Sequence, residues 1–439
     1  MYKSTTKLPL NPGQEAAAEG FFDFLLDPNA SELRISGPGG TGKTFTMAHM
    51  IDEIMPRYHE TCSLMGIPAL YNEVIMTATT NKAAEVLARA TGRPTSTYHS
   101  FQGLTVRNNL KTGEADLIPS KSFSIKKNKV IFIDEASMID RKLKKFINEG
   151  THQSKIVYLG DKCQLLPVKE TSSPVYNDSS IKEFMLTQQM RTDVPELHAL
   201  HEQLRGTIEG KHGFLPIKAV PGIIDWIEDG DEMRKEVEGH FMTKTDTRIV
   251  AYTNQQVVNY NTFIRAMNGF HGEFCIGEEL VSNSAIQIGA GDRLSIEQEC
   301  QIVDQDSATR KILIDSSGIE LEVRDCTLDT GYGGVFEGIP IPVDMDYFIR
   351  LQKYYAHQKN WERHFYLKET FPELRALHAS TVHKSQGSTY DTIFIDATDL
   401  STCRQPDVVA RLLYVAVSRA RHRVVFYGSL AEKFGGLVR

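Results

Sequence analysis

Little in the sequence ties it to a membrane, a secretory route or a disulfide scaffold. No apolar run approaches the ~20 residues that a membrane span needs. The first residues, MYKSTTKLPLNPGQEAAAEG, lack the apolar core of a signal peptide. The six cysteines, Cys62, Cys163, Cys275, Cys300, Cys326 and Cys403, are scattered and none forms a C-x-x-C pair. That argues against a disulfide framework or a zinc site and for a reducing, cytoplasmic setting with no membrane. There is no excess of basic charge either: 49 Lys and Arg against 56 Asp and Glu give a net charge of -7. A body coated in phosphate-binding charge is therefore not expected, but a basic groove on an acidic body is allowed. No repeat or low-complexity tract interrupts the 439 residues, whose 41% hydrophobic and 24% charged content is an ordinary globular balance. Such a chain can fill two to four domains.

What the sequence does have is an alternation of short apolar strands with helical stretches. ELRISG (32–37), EVIMTATT (73–80), KVIFIDEAS (129–137) and KIVYLGD (155–161) read as buried strands. TFTMAHMIDEIM and NKAAEVLARA read as helices, the second with Asn81 as its N-cap. TRIVAYTNQQVVNYNTFIR (247–265), DTIFIDATD (391–399) and RVVFYGS (423–429) repeat the rhythm. The fold class is α/β with parallel sheets, in two cores. Two segments break the pattern. Residues 103–128 read as a β-hairpin turning at KTGE. Residues 282–373 open with Gly-punctuated β segments, as in a small barrel, and continue into an aromatic-rich helical piece.

GPGGTGKT (37–44) fits G-x-x-x-x-G-K-[ST] and lies between a strand and a helix, as a P-loop must. Gly37, Pro38, Gly39, Gly40, Thr41 and Gly42 would turn backbone N–H groups onto phosphate oxygens, and the helix N-terminus would add its dipole. Lys43 would reach the β- and γ-phosphates of ATP, and Thr44 would hold Mg²⁺. A P-loop needs an acid at a neighbouring strand end. VIFIDEAS supplies Asp134 as the Mg²⁺ partner and Glu135 as the base that orients the attacking water. Gln164, in YLGDKCQLLPV, stands at a strand end where a γ-phosphate could be read. Arg191 in LTQQMRT and Arg419 in YVAVSRAR are candidate arginine fingers. Taken singly, Gln164 and the two arginines are as easily ordinary surface residues.

Taken in order, GPGGTGKT, IMTATTNKAAEVL, STYHSFQG, IFIDEASM, LGDKCQLLPV, LTQQMRT, VAYTNQQVVNYN, STVHKSQGS and LLYVAVSRARHRV resemble the motif series of superfamily 1 helicases. The likeness is to the Dda-like and RecD-like enzymes of the 5′-to-3′ branch. It covers about residue 14 to 425. The resemblance implies two RecA-like motor domains, 1–102 with 126–193 and 194–281 with 374–439. It implies a hairpin wedge at 103–125 and an SH3-like barrel with a helical extension at 282–373. It implies that Gln14 recognises adenine, that Gln164 senses the γ-phosphate, and that Arg191 and Arg419 are the two fingers. DNA contacts are implied at Thr79, Asn81, His99, Thr253, Asn254, Thr381, His383 and Lys384. Ser385, Gln386 and Gly387 would link that grip to the nucleotide. Such groups hold phosphates without reading sequence, as a translocating motor requires. Tyr98 and Phe101 are candidate base-stacking rings, Leu110 a candidate wedge, and Lys121, Lys126, Lys127 and Lys129 candidate phosphate contacts.

The implied activity is ATP-dependent 5′-to-3′ translocation on single-stranded DNA with unwinding of forked duplex. The implied setting is phage replication or recombination in an infected bacterial cell, as a monomer, with a single-strand-binding protein among possible partners. Two other readings stay open. One is a nucleic-acid-stimulated ATPase acting on RNA or displacing bound proteins. The other is a P-loop NTPase of another class, such as a kinase or a switch NTPase, for which the motifs after residue 247 would have no use.

Overall fold

The computed structural model describes residues 9–438 except 168, 169, 171, 244, 289–291, 332 and 333. Part of the segment read as AIQIGAGDRL, and the last residue of YLGDKCQLLPV, lie outside the described residues.

The first core begins with helix α1 (Pro12–Leu26), capped by a reciprocal box in which Asn11 and Gln14 each accept from the other's backbone N–H. Its strands are β1 (Glu32–Ser36), β2 (Glu73–Ala78), β3 (Ser96–Thr97), the hairpin pair β4 (Leu104–Asn108) and β5 (Ala115–Pro119), β6 (Lys129–Asp134), β7 (Lys155–Gly160) and β8 (Lys182–Met185). All except the hairpin form one parallel sheet, in the order β8-β1-β7-β6-β2-β3. The strands are apolar on both faces because both faces are covered. On β6, Val130 and Phe132 pack with Phe21 of α1, while Ile131 and Ile133 pack with Leu143 and Ile147 on the other side.

Helix α2 (Lys43–His49) follows β1, but the helix expected to run on through Met55 is broken by a π-turn at Met50–Ile54. Pro56 has no N–H to donate and its ring would crowd the preceding turn, which widening relieves. Helix α3 (Asn81–Thr91) is capped by Thr80, whose hydroxyl accepts from the Ala83 N–H; Asn81 is the first helical residue, not the cap. Helix α4 (Tyr98–Gln102) leads into the hairpin.

The second core starts at α5 (Pro195–Ile208). Its parallel sheet joins β9 (Ile224–Ile227), β10 (Thr247–Ala251), β17 (Ala379–Thr381), β18 (Tyr390–Asp396) and β19 (Ala420–Tyr427) in the order β9-β19-β18-β10-β17. Helices α6 (Asn254–Met267) and α9 (Pro406–Val417) cover opposite faces. Between β10 and β17 the chain builds an antiparallel sheet from β11 (Glu279–Ser282), β12 (Glu299–Gln305), β13 (Arg310–Leu313), β14 (Glu320–Asp329), β15 (Val335–Pro342) and β16 (Leu374–Ala376). Helices α7 (Met345–His357) and α8 (Trp361–Thr370) sit between β15 and β16. Because β11 pairs with β16, this insertion reaches a few residues beyond 282–373 at both ends.

Two contacts fix the parts together. The segment after β7 crosses to the second core, where Cys163 and Leu165 are buried among Leu200, Leu412 and Tyr414. Asp161 there accepts from Arg205 (2.8 Å) and from the Tyr414 hydroxyl (2.6 Å), all three buried. The hairpin tip meets α8: a Cβ on Gly113 would stand 2.4 Å from the Trp361 ring, and Asn108 donates to Glu369 (2.7 Å).

Candidate nucleotide cleft and strand groove

The loop 37–44 leaves β1 at the C-terminal edge of its sheet, the edge at which α/β sheets bind ligands. Gly40 takes φ +90°, and a side chain there would run into Gln189 and Arg191, so this turn admits only glycine. The Thr41 hydroxyl donates to the Pro38 carbonyl (3.0 Å). Lys43 Nζ donates to the Gly37 and Pro38 carbonyls (2.7 and 2.9 Å). Burial pulls the Lys43 ammonium below its usual range, opposed by the charges of Asp161, Asp134 and Glu135. Burial, then the neighbouring Glu135 charge, pushes the Asp134 carboxyl up to about 7, against a bond from the Glu135 N–H (2.8 Å).

Both candidate fingers lie over this loop and neither is a surface residue. A Cβ on Gly39 would stand 3.3 Å from Arg191 Nη1 and 3.6 Å from Arg419 Nη2. Arg191 donates to the Ser418 carbonyl (3.0 Å), and burial and the Arg419 charge lower it to about 10. Arg419 is 2% exposed and donates to the carbonyls of Val415 and Ser388. Together with Thr44, Asp134, Glu135, Gln164 and Gly387 they line a cavity of ≈ 500 Å³ between the cores. Gln164 is 4% exposed, its side-chain oxygen has no partner, and its backbone carbonyl accepts from Arg411 of α9 (2.6 Å). Gln14 is not the exposed helix residue its position suggests. It is 1% exposed, its oxygen closes the α1 cap, and its amide nitrogen donates to the Thr41 carbonyl (3.2 Å).

The donor set where Mg²⁺ is expected is one carboxylate, Asp134, and one hydroxyl, Thr44, in a single cavity. No group of three or more His, Cys, Asp or Glu fit to hold a metal exists among the described residues. Hard oxygen ligands in small number suit Mg²⁺, which takes its remaining ligands from water and phosphate.

A second cavity of ≈ 770 Å³ opens on the other side of Glu135. Thr79, Asn81, His99, His383, Lys384 and Gln386 line it, with Met138, Arg293 and Ile296, which sequence reasoning missed. Desolvation by the groove walls holds the rings of His99 and His383 below the usual histidine range, so they are neutral donors at pH 7. Lys384 pairs with Glu297 (2.5 Å) and Asn283, and Lys82 with Glu299 (2.7 Å), the acidic partners all coming from the insertion.

Several expected contacts fall elsewhere. Thr253 caps α6 and donates its hydroxyl to Asp399 (2.9 Å), whose carboxylate also accepts from the N–H groups of Tyr252 and Thr253 (2.7 Å each). That hydroxyl is committed to the fold, because hydrogen bonding at a helix start and to a buried carboxylate uses its capacity. Asn254 accepts from Arg375 (2.9 Å) and Thr381 is 7% exposed at the end of β17; neither lines the groove. Gln386 lines the groove and not the nucleotide cleft, whereas Gly387 lines the cleft. Tyr98 is fully buried and offers no free face, while Phe101 packs edge-on beside it and is partly buried. Lys129 pairs with Glu73 where β6 begins, at the sheet edge away from the groove.

Residues 9–217 match the family model of an AAA domain, and residues 376–427 that of a UvrD-like helicase C-terminal domain. The ATP-dependent DNA helicase dda of Enterobacteria phage T4 is 25% identical over 90% of this chain and 94% of its own length. Over nearly its whole length the chain is similar to superfamily 1 helicases. An uncharacterised protein of Acanthamoeba polyphaga mimivirus is 20% identical, covering 95% of this helicase and 99% of that protein. Among solved structures, the Pif1 helicase of Candida albicans is 17% identical with TM-score 0.44, covering 97% of each chain. The Bacteroides Pif1 helicase in complex with ADP-AlF3 and ssDNA is 14% identical with TM-score 0.46, covering 98% of this helicase and 95% of that chain. No helix among the described residues is long and apolar enough to cross a membrane.

Proposed function

We propose that this helicase hydrolyses ATP to move 5′-to-3′ along single-stranded DNA and to unwind the duplex ahead of it. One observation carries the reading: Glu135 borders both the cleft between the cores and the groove that runs past them. A residue so placed can join a chemical step to a grip on a strand.

In this mechanism the loop 37–44 and Lys43 take the phosphates, Gln14 braces that loop through its bond to the Thr41 carbonyl, and Gln164 reads the γ-phosphate. Mg²⁺ held by Thr44 and Asp134 would neutralise phosphate charge and orient the leaving group. Glu135 directs a water at the γ-phosphorus and accepts its proton as the bond to the β-phosphate oxygen breaks, releasing ADP and phosphate. Arg191 and Arg419 stabilise the negative charge on the transferring group, a contribution of about 10³–10⁵ in rate. Arg191 stands on the core that carries the loop and Arg419 on the other, so a nucleotide between them ties the cores together and its loss shifts one core's hold on the strand. Asn81, His99, His383 and Lys384 hold the strand by its backbone. The hairpin, braced by α8, splits the fork.

The setting we infer is phage DNA replication or recombination in the host cytoplasm, with forked DNA as substrate, the protein acting as a monomer alongside a single-strand-binding protein. The test is strand displacement with ATP and Mg²⁺ on duplexes carrying either a 5′ or a 3′ single-stranded tail. Unwinding from the 5′ tail is expected. Unwinding only from the 3′ tail overturns the polarity. Absence of any strand-stimulated ATPase overturns the motor reading in favour of another class of NTPase.

A further inference from the structure

Glu135 is held from two sides by residues of the strand groove. The Thr79 hydroxyl donates to its backbone carbonyl (3.2 Å). Gln386 Nε2, from the other core, donates to its carboxylate oxygen Oε2 (3.0 Å). Glu135 itself sits at φ +55°, a left-handed conformation that a non-glycine residue keeps only where its surroundings impose it. Gln386 belongs to the groove, so the bond draws the carboxylate towards the strand and away from the cleft.

The same short turn carries the strand grip. Lys384 and Ser385 both donate their N–H groups to the Thr381 carbonyl (3.0 and 3.1 Å), and Ser388 donates to that of Ser385 (3.1 Å), so residues 381–388 form one hydrogen-bonded unit. Within it, Lys384 is held by Glu297 and Asn283 of the insertion. A phosphate entering the groove competes with the Glu297 carboxylate for that ammonium, and a shift of Lys384 carries Gln386 with it.

We propose that Gln386 is a strand-responsive restraint on the general base. Without a strand it holds Glu135 turned towards the groove; an engaged strand withdraws the amide and frees the carboxylate to orient water. Gln386 is thus a positioning residue that acts through Glu135. This rests on the ATPase mechanism proposed above, and it adds the means by which the strand sets the rate.

The test compares the protein with its Gln386→Met variant, which keeps the side chain's length and removes its donor. ATP turnover is measured without a strand and with saturating single-stranded oligothymidylate, and strand affinity by fluorescence anisotropy. A hydrogen bond to a charged group biases a two-state equilibrium by about tenfold. Strand-free kcat is therefore expected to rise about 3- to 10-fold in Gln386→Met, while kcat at saturating strand and strand affinity stay within about twofold. The stimulation ratio collapses from below. Adding Glu135→Gln should remove the gained turnover, showing that it runs through the same base. Normal stimulation in the wild type with an unchanged strand-free rate in Gln386→Met overturns the restraint alone. So does a fall in both rates with strand affinity retained. No strand stimulation in the wild type overturns the restraint and the mechanism beneath it together.

Discussion

The nucleotide cleft and the strand groove share Glu135 but hold their cations in opposite ways. In the cleft, Lys43 rests on the Gly37 and Pro38 carbonyls, Arg191 on that of Ser418, and Arg419 on those of Val415 and Ser388. Their partners are neutral, and burial lowers the pKa of all three. In the groove, Lys384 and Lys82 are already neutralised by Glu297 and Glu299. A nucleotide entering the cleft meets cations whose hydrogen-bond partners are neutral carbonyls, in a place where low dielectric makes each contact strong. A strand entering the groove exchanges its phosphates for carboxylates, so each contact yields only a difference. That contrast suits a machine that must hold its fuel firmly and let go of its track at every step.

The largest expected effect would separate the two sites outright. Lys43→Ala should lower strand-stimulated ATPase by about 10³ or more, the scale of losing a principal charge on a transferring phosphoryl group. Its affinity for single-stranded DNA, measured by anisotropy, should stay within a few-fold. Full ATPase activity in this variant would refute the placement of the nucleotide.

Acidity should also pull the sites apart. The Asp134 carboxyl titrates at about 7 in the nucleotide-free protein, raised by burial and by Glu135. Its charged form, needed opposite a cation, is therefore lost as pH falls through about 7. The kcat/KM for ATP, which reports the free enzyme, should drop about tenfold per pH unit below that point. Strand affinity should not fall over the same range. Burial holds His99 and His383 below the usual histidine range, and protonating them as pH falls adds positive charge facing the strand, which does not weaken its hold. A parallel loss of both activities between pH 8 and 6 would erase the distinction.

The smallest effect tests the exchange of partners. Glu297→Gln should tighten binding of single-stranded DNA about 3- to 10-fold at low salt, since Lys384 then has no carboxylate to leave. Lys384→Ala should weaken binding to all sequences alike and flatten the slope of log affinity against log salt by about 0.7, the share of one single-strand phosphate contact. An unchanged slope would place Lys384 outside the strand's path.

The nucleotide cleft was legible to the extent that its chemistry is local. The loop 37–44 is eight consecutive residues between a strand and a helix, and Asp134 and Glu135 end the next strand but one in the sheet. Neighbouring residues at a strand end stay neighbours in any parallel sheet. The groove was less legible, because a threonine or an asparagine has the same letter whether it meets a phosphate or a backbone. Thr253 and Thr381 sit in the right motifs, yet one hydroxyl is taken by Asp399 and the other residue is buried. Tyr98 looked available for stacking and is core, with Phe101 partly buried against it. Asp399 and the Asp161, Arg205 and Tyr414 cluster left no local signal, since their partners lie far away along the chain.

By itself, the sequence determined the two parallel α/β cores, the P-loop and the acids that accompany it. Those depend on apolar periodicity, on glycine at a turn that no other residue can make, and on short-range spacing. Tertiary structure alone decided that Arg191 and Arg419 converge over Gly39, that the groove lysines are already paired, and that Gln386 reaches Glu135. Each of these is a meeting of groups far apart along the chain, from separate cores or from a core and an insertion. Such meetings are settled by how the cores pack against one another, which spacing along the chain does not encode.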